Sequence, residues 1–279
     1  MTRIGAVGFL NARPLSHGLA QQEGVALRQD VPSVCARLLH EGGIDVGLVP
    51  VIELLRGQVE YDIVPGLAIG CDGAVNSVAL FSRRPIGEVR RIALDVSSRS
   101  SVGLVRVLCR HHFGITPEFV DARPDLAGML DEADAALLIG DPALRAPFVA
   151  LAATKTDLGQ AWKAFTGLPF VFAVWAARPG TLTPALVAQL QQARRAGEAA
   201  IPAIAAAEAA GDAGEAERLA TYLRTNIRYD LDEAALEGLT RYLTLAMDDG
   251  LAPRRPDVLR AVEALTNAER RTLNACRST

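Results

Sequence analysis

Short runs rich in β-branched residues alternate with helix-like segments through the first two thirds of the chain: IGAVGFL, ALRQDV, DVGLVPV, YDIVPGLAI, SVALFSR, RIALDV, AALLIGD and FVFAVWAA. That alternation argues for parallel sheets assembled from βαβ units. Between the runs, VPSVCARLLHEGG sets Val34, Leu38 and Leu39 on one face and stops on glycines, a C-terminal helix signal. SSVGLVRVLCRHHFG aligns Val102, Val105, Leu108 and Cys109 and stops at Gly114. Each reads as a surface helix covering a sheet.

After Pro179 the strand-like runs cease, and an alanine-rich region occupies residues 183 to about 272. Breaks near Gly211 to Gly214, at Tyr229 and Asp230, and at Gly250 to Pro256 divide it into four helices, for which packing is the expected role. With 279 residues and 50% hydrophobic composition the chain suits two lobes. NSVALFSRRP and PFVFAVWAARPG share one form, a strand that ends in Arg and then Pro. If the chain leaves one lobe at Arg83 to Pro85 and returns at Ala177 to Pro179, residues 85–176 form an inserted lobe. Residues 1–84 plus 177–279 then form the other, with a ligand cleft between them.

Composition narrows the function. A net charge of -3 with scattered basic residues gives no footprint for nucleic acid. The cysteines at 35, 71, 109 and 276 lack metal-like spacing and are expected to be free thiols. FVFAVWAA is far shorter than the roughly 20 apolar residues of a membrane-spanning helix. No basic stretch followed by an apolar leader is seen after Met1, so a soluble cytoplasmic protein, monomer or homodimer, is expected. Neither GxxxxGK[ST] nor a GxGxxG after the first strand occurs, and carboxylates and histidines form no metal constellation. Neither a cofactor nor a metal is expected. The histidines at 17, 40, 111 and 112 fall in helical patterns or at helix ends, and none is expected to act as a base.

Candidate site residues follow strands. In GAVGFLNARPL, Asn11 stands on a strand-to-helix loop with Pro14 suited to the first helical turn, where open α/β sheets collect ligands. It reads as a site residue or as a helix cap. Ser97, Ser98, Ser100 and Ser101 precede a helix whose N-terminal N–H groups suit a carboxylate or phosphate; simple N-capping is the alternative. In LLIGDPAL, Gly140 and Asp141 follow an apolar strand, Asp141 being either a cap or a carboxylate turned into the cleft. Ser77 lies on the first crossing strand and in no GxSxG elbow, so it reads as a ligand contact rather than a nucleophile. Glu53 in VPVIE reads as structural.

Taken together, GAVGFLNARPL, DVGLVPVIEL, VPGLAIGCDGAVNSVALFSRRPI, ALDVSSRSSVGLVRVL, ALLIGDPAL, TGLPFVFAVWAAR and YLRTNIRYDL resemble the chorismate dehydratases of the futalosine route to menaquinone, to about residue 252. The resemblance implies a two-lobed α/β fold like the type II periplasmic binding proteins. Mixed, mostly parallel sheets would be flanked by helices, with the helical C-terminal region packed on the first lobe. It also implies elimination of water from chorismate, with Asn11 and Asp141 as catalytic residues and Ser77, the Ser97 to Ser101 cluster and Gly140 as substrate contacts. The related 1,4-dihydroxy-6-naphthoate synthases usually open with a signature of the type SPCPND, where this chain has FLNARPL. A solute-binding protein for an aromatic or dicarboxylate ligand would share the fold.

Overall fold

The computed structural model describes residues 1–277, with side-chain surroundings through residue 267. Strands β1 (Thr2–Val7), β2 (Val25–Asp30), β3 (Val46–Pro50) and β4 (Asp62–Cys71) enter a first sheet, and β5 (Val78–Ser82), β6 (Arg91–Asp95), β7 (Glu118–Ala122), β8 (Ala135–Ile139) and β9 (Thr154–Asp157) form a second. The chain then returns to the first sheet as β10 (Phe170–Ala177). The strand orders are β2-β1-β3-β10-β4 and β7-β6-β8-β5-β9. In both, a strand that has crossed from the other half runs antiparallel to its neighbours: β10 against β3 and β4, β5 against β8 and β9. Parallel pairs are confined to β1 with β2 and β3, and β6 with β7 and β8. Antiparallel pairings therefore equal the parallel ones.

Sheet membership moves one expected boundary. Val78–Ser82, assigned above to residues 1–84, belongs to the second sheet, because its backbone bonds go to β8 and β9. The chain crosses through residues 72–77, before this strand rather than after it. Two strands escaped notice in the sequence, β7 and β9. Both are sheet edges, mostly half-exposed, so neither needs a strong apolar run.

The covering helices follow their punctuation. Helix α1 (Pro32–Glu41) has Pro at its start and ends with Gly42 at φ 75°, where the Gly43 N–H bonds to Leu38 O at 2.8 Å. It buries Cys35, Ala36 and Leu39, while Val34 and Leu38 are half-buried, so the inward stripe is rotated from the expected one. Helix α2 (Ser100–Leu108) buries Val105 and Leu108, and a π-helical turn at Cys109–Phe113 extends it to Gly114 at φ 66°. Helix α3 (Leu158–Thr166) precedes β10, and its Trp162 meets Phe170 edge-on at 5.2 Å.

The C-terminal region holds α4 (Pro184–Ala199), α5 (Ile201–Glu208), α6 (Ala213–Thr221), α7 (Glu233–Asp248) and α8 (Pro256–Arg277). That is one helix more than expected, because Pro202 starts a new helix after Ala200. The region packs on the first sheet, Tyr242 of α7 meeting Phe170 of β10 at 4.9 Å, and it also reaches the other half. The Tyr242 hydroxyl donates to Ser100 O at 2.9 Å, and Arg145 pairs with Glu208 at 2.7 Å. One apolar core fills the first sheet and one face of the second; a smaller one containing Phe81, Met129 and Leu138 covers the opposite face. Cys35, Cys71 and Cys109 are free and buried, and Cys276 lies outside the residues whose side chains are described.

Candidate functional site

Loops at the ends of β1, β6 and β8 converge on a crevice that β10 and β3 also border. Phe9, Ile69, Ile139, Phe172 and Pro50 supply apolar walls suited to a ring, and Asn11, Ser98, Ser100, Ser101 and Gly140 supply polar edges. About 60 Å³ is open within it. Ligand pockets are usually several hundred Å³, so a ring-sized ligand needs more room than the crevice offers here.

Asn11 lies in the turn Leu10–Ala12, directly after β1. The following helical turn, Arg13–Ser16, starts after Ala12 with no side-chain cap, which removes the capping role for Asn11. Its Oδ1 is instead buried without a hydrogen-bond partner. Buried polar atoms are nearly always satisfied, so this orphaned acceptor on the crevice wall is left free to bond a ligand.

The serine turn divides its labour. Ser97 donates its backbone N–H and its hydroxyl to Asp95 Oδ1, at 2.8 and 2.6 Å, and so stabilises the turn instead of facing the crevice. Ser98 Oγ is buried and unpartnered on the crevice wall. Ser100 Oγ accepts the Ile52 N–H at 3.3 Å, which ties the start of α2 to the loop after β3. No serine side chain caps α2, whose N-cap is Arg99. Two of these hydroxyls are thus spent on the fold, at Asp95 and at the Ile52 N–H, and that of Ser98 is left unpartnered.

Gly140, at φ 61°, takes the left-handed turn that starts the helix Gly140–Leu144, and its N–H donates to Ser77 O at 2.7 Å. A Cβ there would stand 2.6 Å from the Phe9 ring, so only glycine allows this approach. Ser77 is fully buried just behind the wall residue Val78, with the Tyr222 hydroxyl as its neighbour. The segment before it is held from several sides. Asp157 accepts Val75 N–H at 3.1 Å and Asn76 N–H at 2.6 Å, Lys155 donates to Asn76 O at 2.7 Å, and Asn226 donates to Ala74 O at 2.9 Å. Asn76 itself sits at φ 63°, a conformation Asn tolerates.

Asp141 is half-buried beside the crevice rather than in its wall. Its Oδ1 accepts the Leu10 N–H at 3.1 Å. Burial pushes its carboxyl up; the Leu10 N–H opposes this, nearby Glu208 adds to it, and Arg145 and Arg13 pull it down.

Two residues were not singled out from sequence. Tyr222, in the π-helical turn Tyr222–Asn226, has its hydroxyl beside Ser77 and Asn11; burial raises its pKa and those two side chains oppose the rise. Nothing in the helical pattern around it distinguishes it from a packing tyrosine, although π-turns often mark sites. Asp95, at the end of β6, is 1% exposed, with Oδ2 unpartnered. Burial pushes its carboxyl up, against the pull of Ser97 and the Ile139 N–H.

The histidines lie elsewhere. His40 bonds Tyr61 Oη at 2.7 Å and Glu53 Oε2 at 2.9 Å, and His111 bonds Asp249. Glu53 is buried in the first turn of Glu53–Arg56, as its structural reading expects. Burial raises its carboxyl, but the His40 bond and the Arg56 charge together outweigh this and hold it low. Among the described residues no group of three or more potential ligands could hold a metal ion, and no helix is long and apolar enough to cross a membrane.

Residues 2–248 match the family described as menaquinone biosynthesis. The chain belongs to that family. A chorismate dehydratase of Thermus thermophilus is 32% identical over 255 residues, covering 86% of this chain and 93% of that protein. The fold recurs in protein AF1704 from Archaeoglobus fulgidus, at TM-score 0.71 and 17% identity, covering 90% of this chain and 98% of that one. It recurs also in the alkanesulfonate-binding protein SsuA of Xanthomonas axonopodis pv. citri, at TM-score 0.63 and 16% identity, covering 91% and 94%. This menaquinone biosynthesis family member therefore has a two-lobed fold like those of periplasmic binding proteins.

Proposed function

We propose that this chain is a chorismate dehydratase, converting chorismate to 3-[(1-carboxyvinyl)oxy]benzoate and water in the futalosine route to menaquinone. The Thermus relative and the family support the reaction. The observation that carries it to this site is the shared crevice, in which Asn11 Oδ1 and Ser98 Oγ are both buried without partners beside apolar walls.

The chemistry asks little of the protein. Chorismate carries two carboxylates, a C4 hydroxyl, and a C3 proton made acidic by conjugation through the ring to the C1 carboxylate. Loss of that proton and of hydroxide gives water and an aromatic ring, with no net oxidation or reduction, so the step needs no redox partner. Aromatisation drives it, and the protein's task is to orient the ring and to stabilise the charge that grows on the ring carboxylate. Ser98 and the first N–H groups of α2 receive that carboxylate, while Asn11 and Ser77 contact polar groups around the ring. No histidine lines the crevice among the described residues, and the enolpyruvyl carboxylate of the substrate takes the C3 proton. Asp141, beside the crevice, holds the loop that carries Asn11 through the Leu10 N–H and contacts the C4 hydroxyl by a hydrogen bond that an amide could also make.

Incubation of the purified protein with chorismate tests this reading. Loss of the cyclohexadiene absorbance together with a benzoate product of the expected mass supports it. Binding of chorismate without turnover points to a solute-binding protein instead.

A further inference from the structure

Arg99 is the only charged residue among the described residues lining the crevice. It is exposed, and no carboxylate pairs with it among the described residues. The other arginines near the site are spent: Arg13 and Arg145 both pair with Glu208, at 2.6 and 2.7 Å. Arg99 is also the N-cap residue of the nine-residue helix α2, so its side chain leaves the backbone where that helix presents its free N–H groups. Directly before it, Ser98 offers a buried, unpartnered Oγ on the crevice wall.

These positions differ in depth. Ser98 is 3% exposed and uncharged, whereas Arg99 is at the surface. Neutral donors and a helix N-terminus hold a buried carboxylate without stranding a cation in the interior, while a guanidinium at the mouth pairs with a second carboxylate in a planar, two-bonded geometry.

We propose that Arg99 determines specificity for dianions: it closes over the mouth of the crevice onto the outer carboxylate of a ligand whose inner carboxylate lies at Ser98 and the first turn of α2. The site thereby selects six-membered-ring acids with two carboxylates over those with one. This rests on the crevice being the substrate site, and deepens the dehydratase reading by assigning the second carboxylate a partner.

The experiment compares the wild-type protein with Arg99→Gln and Arg99→Lys. Benzene-1,3-dicarboxylate and benzoate are titrated calorimetrically at low and high salt, and chorismate kinetics are measured in parallel. In the wild type the dicarboxylate binds at least about tenfold more tightly than benzoate, and salt erodes the difference, as for an ion pair near the surface. Arg99→Gln brings the two ligands within about threefold of each other, removes the salt dependence, and raises KM for chorismate far more than it lowers kcat; Arg99→Lys restores part of the preference. An unchanged preference for the dicarboxylate in Arg99→Gln, with unaltered melting temperature, overturns the proposal, as does equal wild-type affinity for both ligands. The outcome is separable from the reaction itself. Arg99-dependent dicarboxylate binding without turnover of chorismate leaves this inference standing and removes the dehydratase reading. Chorismate turnover with a KM indifferent to Arg99 does the reverse.

Discussion

The backbone N–H of Leu10 donates to Asp141 at 3.1 Å, joining the loop after β1 in the first sheet to the helix that follows β8 in the second. Asp141 therefore fastens the Asn11 turn to the opposite side of the crevice. An amide oxygen can accept the same bond, so Asp141→Asn is expected to lower kcat by less than about tenfold, whereas loss of a general base costs about 10²–10⁴. Steady-state kinetics at saturating chorismate decide. A fall of several orders of magnitude with intact binding would make Asp141 the base and remove that role from the substrate carboxylate.

Asn11→Ala separates function from stability. Loss of a hydrogen bond to a charged ligand costs about 1.5–3 kcal/mol, so kcat/KM is expected to fall about tenfold to a hundredfold. The free protein loses an unpartnered Oδ1 but also the contact of the Asn11 side chain with the buried Tyr222 hydroxyl, so its melting temperature is expected to fall by only a few degrees. Kinetics and thermal melts on one sample check both.

Gly140→Ala is expected to destabilise the fold by about 1–3 kcal/mol, combining a positive φ with overpacking. The backbone is at φ 61° and the added methyl would meet the Phe9 ring. Urea unfolding measures the loss, and kcat/KM is expected to fall with it because Phe9 lines the crevice.

Asp95 gives a pH signature. Burial, the largest influence, raises its carboxyl above the ordinary value. A group raised on folding contributes stability that is fully present below its unfolded pKa and is lost as pH rises through the folded value. Asp95→Asn cannot ionise, so its melting temperature is expected to gain on the wild type as pH rises from below the ordinary carboxylate value through the raised folded one, a comparison made by calorimetry from acid to neutral pH. A gap constant with pH contradicts this.

Much of this arrangement was legible before any coordinates. Asn11 and Gly140 follow short apolar runs that end abruptly on polar or glycine residues, a pattern that reads as a strand delivering a loop to a sheet end. Ser98 was legible only as one of four serines, since which hydroxyl is spent depends on Asp95 and Ile52, and Ile52 is 48 positions away in the chain from its partner Ser100. Tyr222 was hidden because the alanine-rich region shows only helical periodicity, while its meeting with Ser77 and Asn11 arises when the helices cross both halves. The boundary before β5 was misplaced for a similar reason: strand pairing, not the Arg-Pro punctuation, decides to which sheet Val78–Ser82 belongs.

A crystal structure with the benzoate product bound tests the central claim most directly. The product is expected in the crevice between the two sheets, its ring against Phe9 and Phe172, with one carboxylate within hydrogen-bond distance of Ser98 and a polar group at Asn11. Product held elsewhere, with Asn11 and Ser98 still unpartnered, would contradict it.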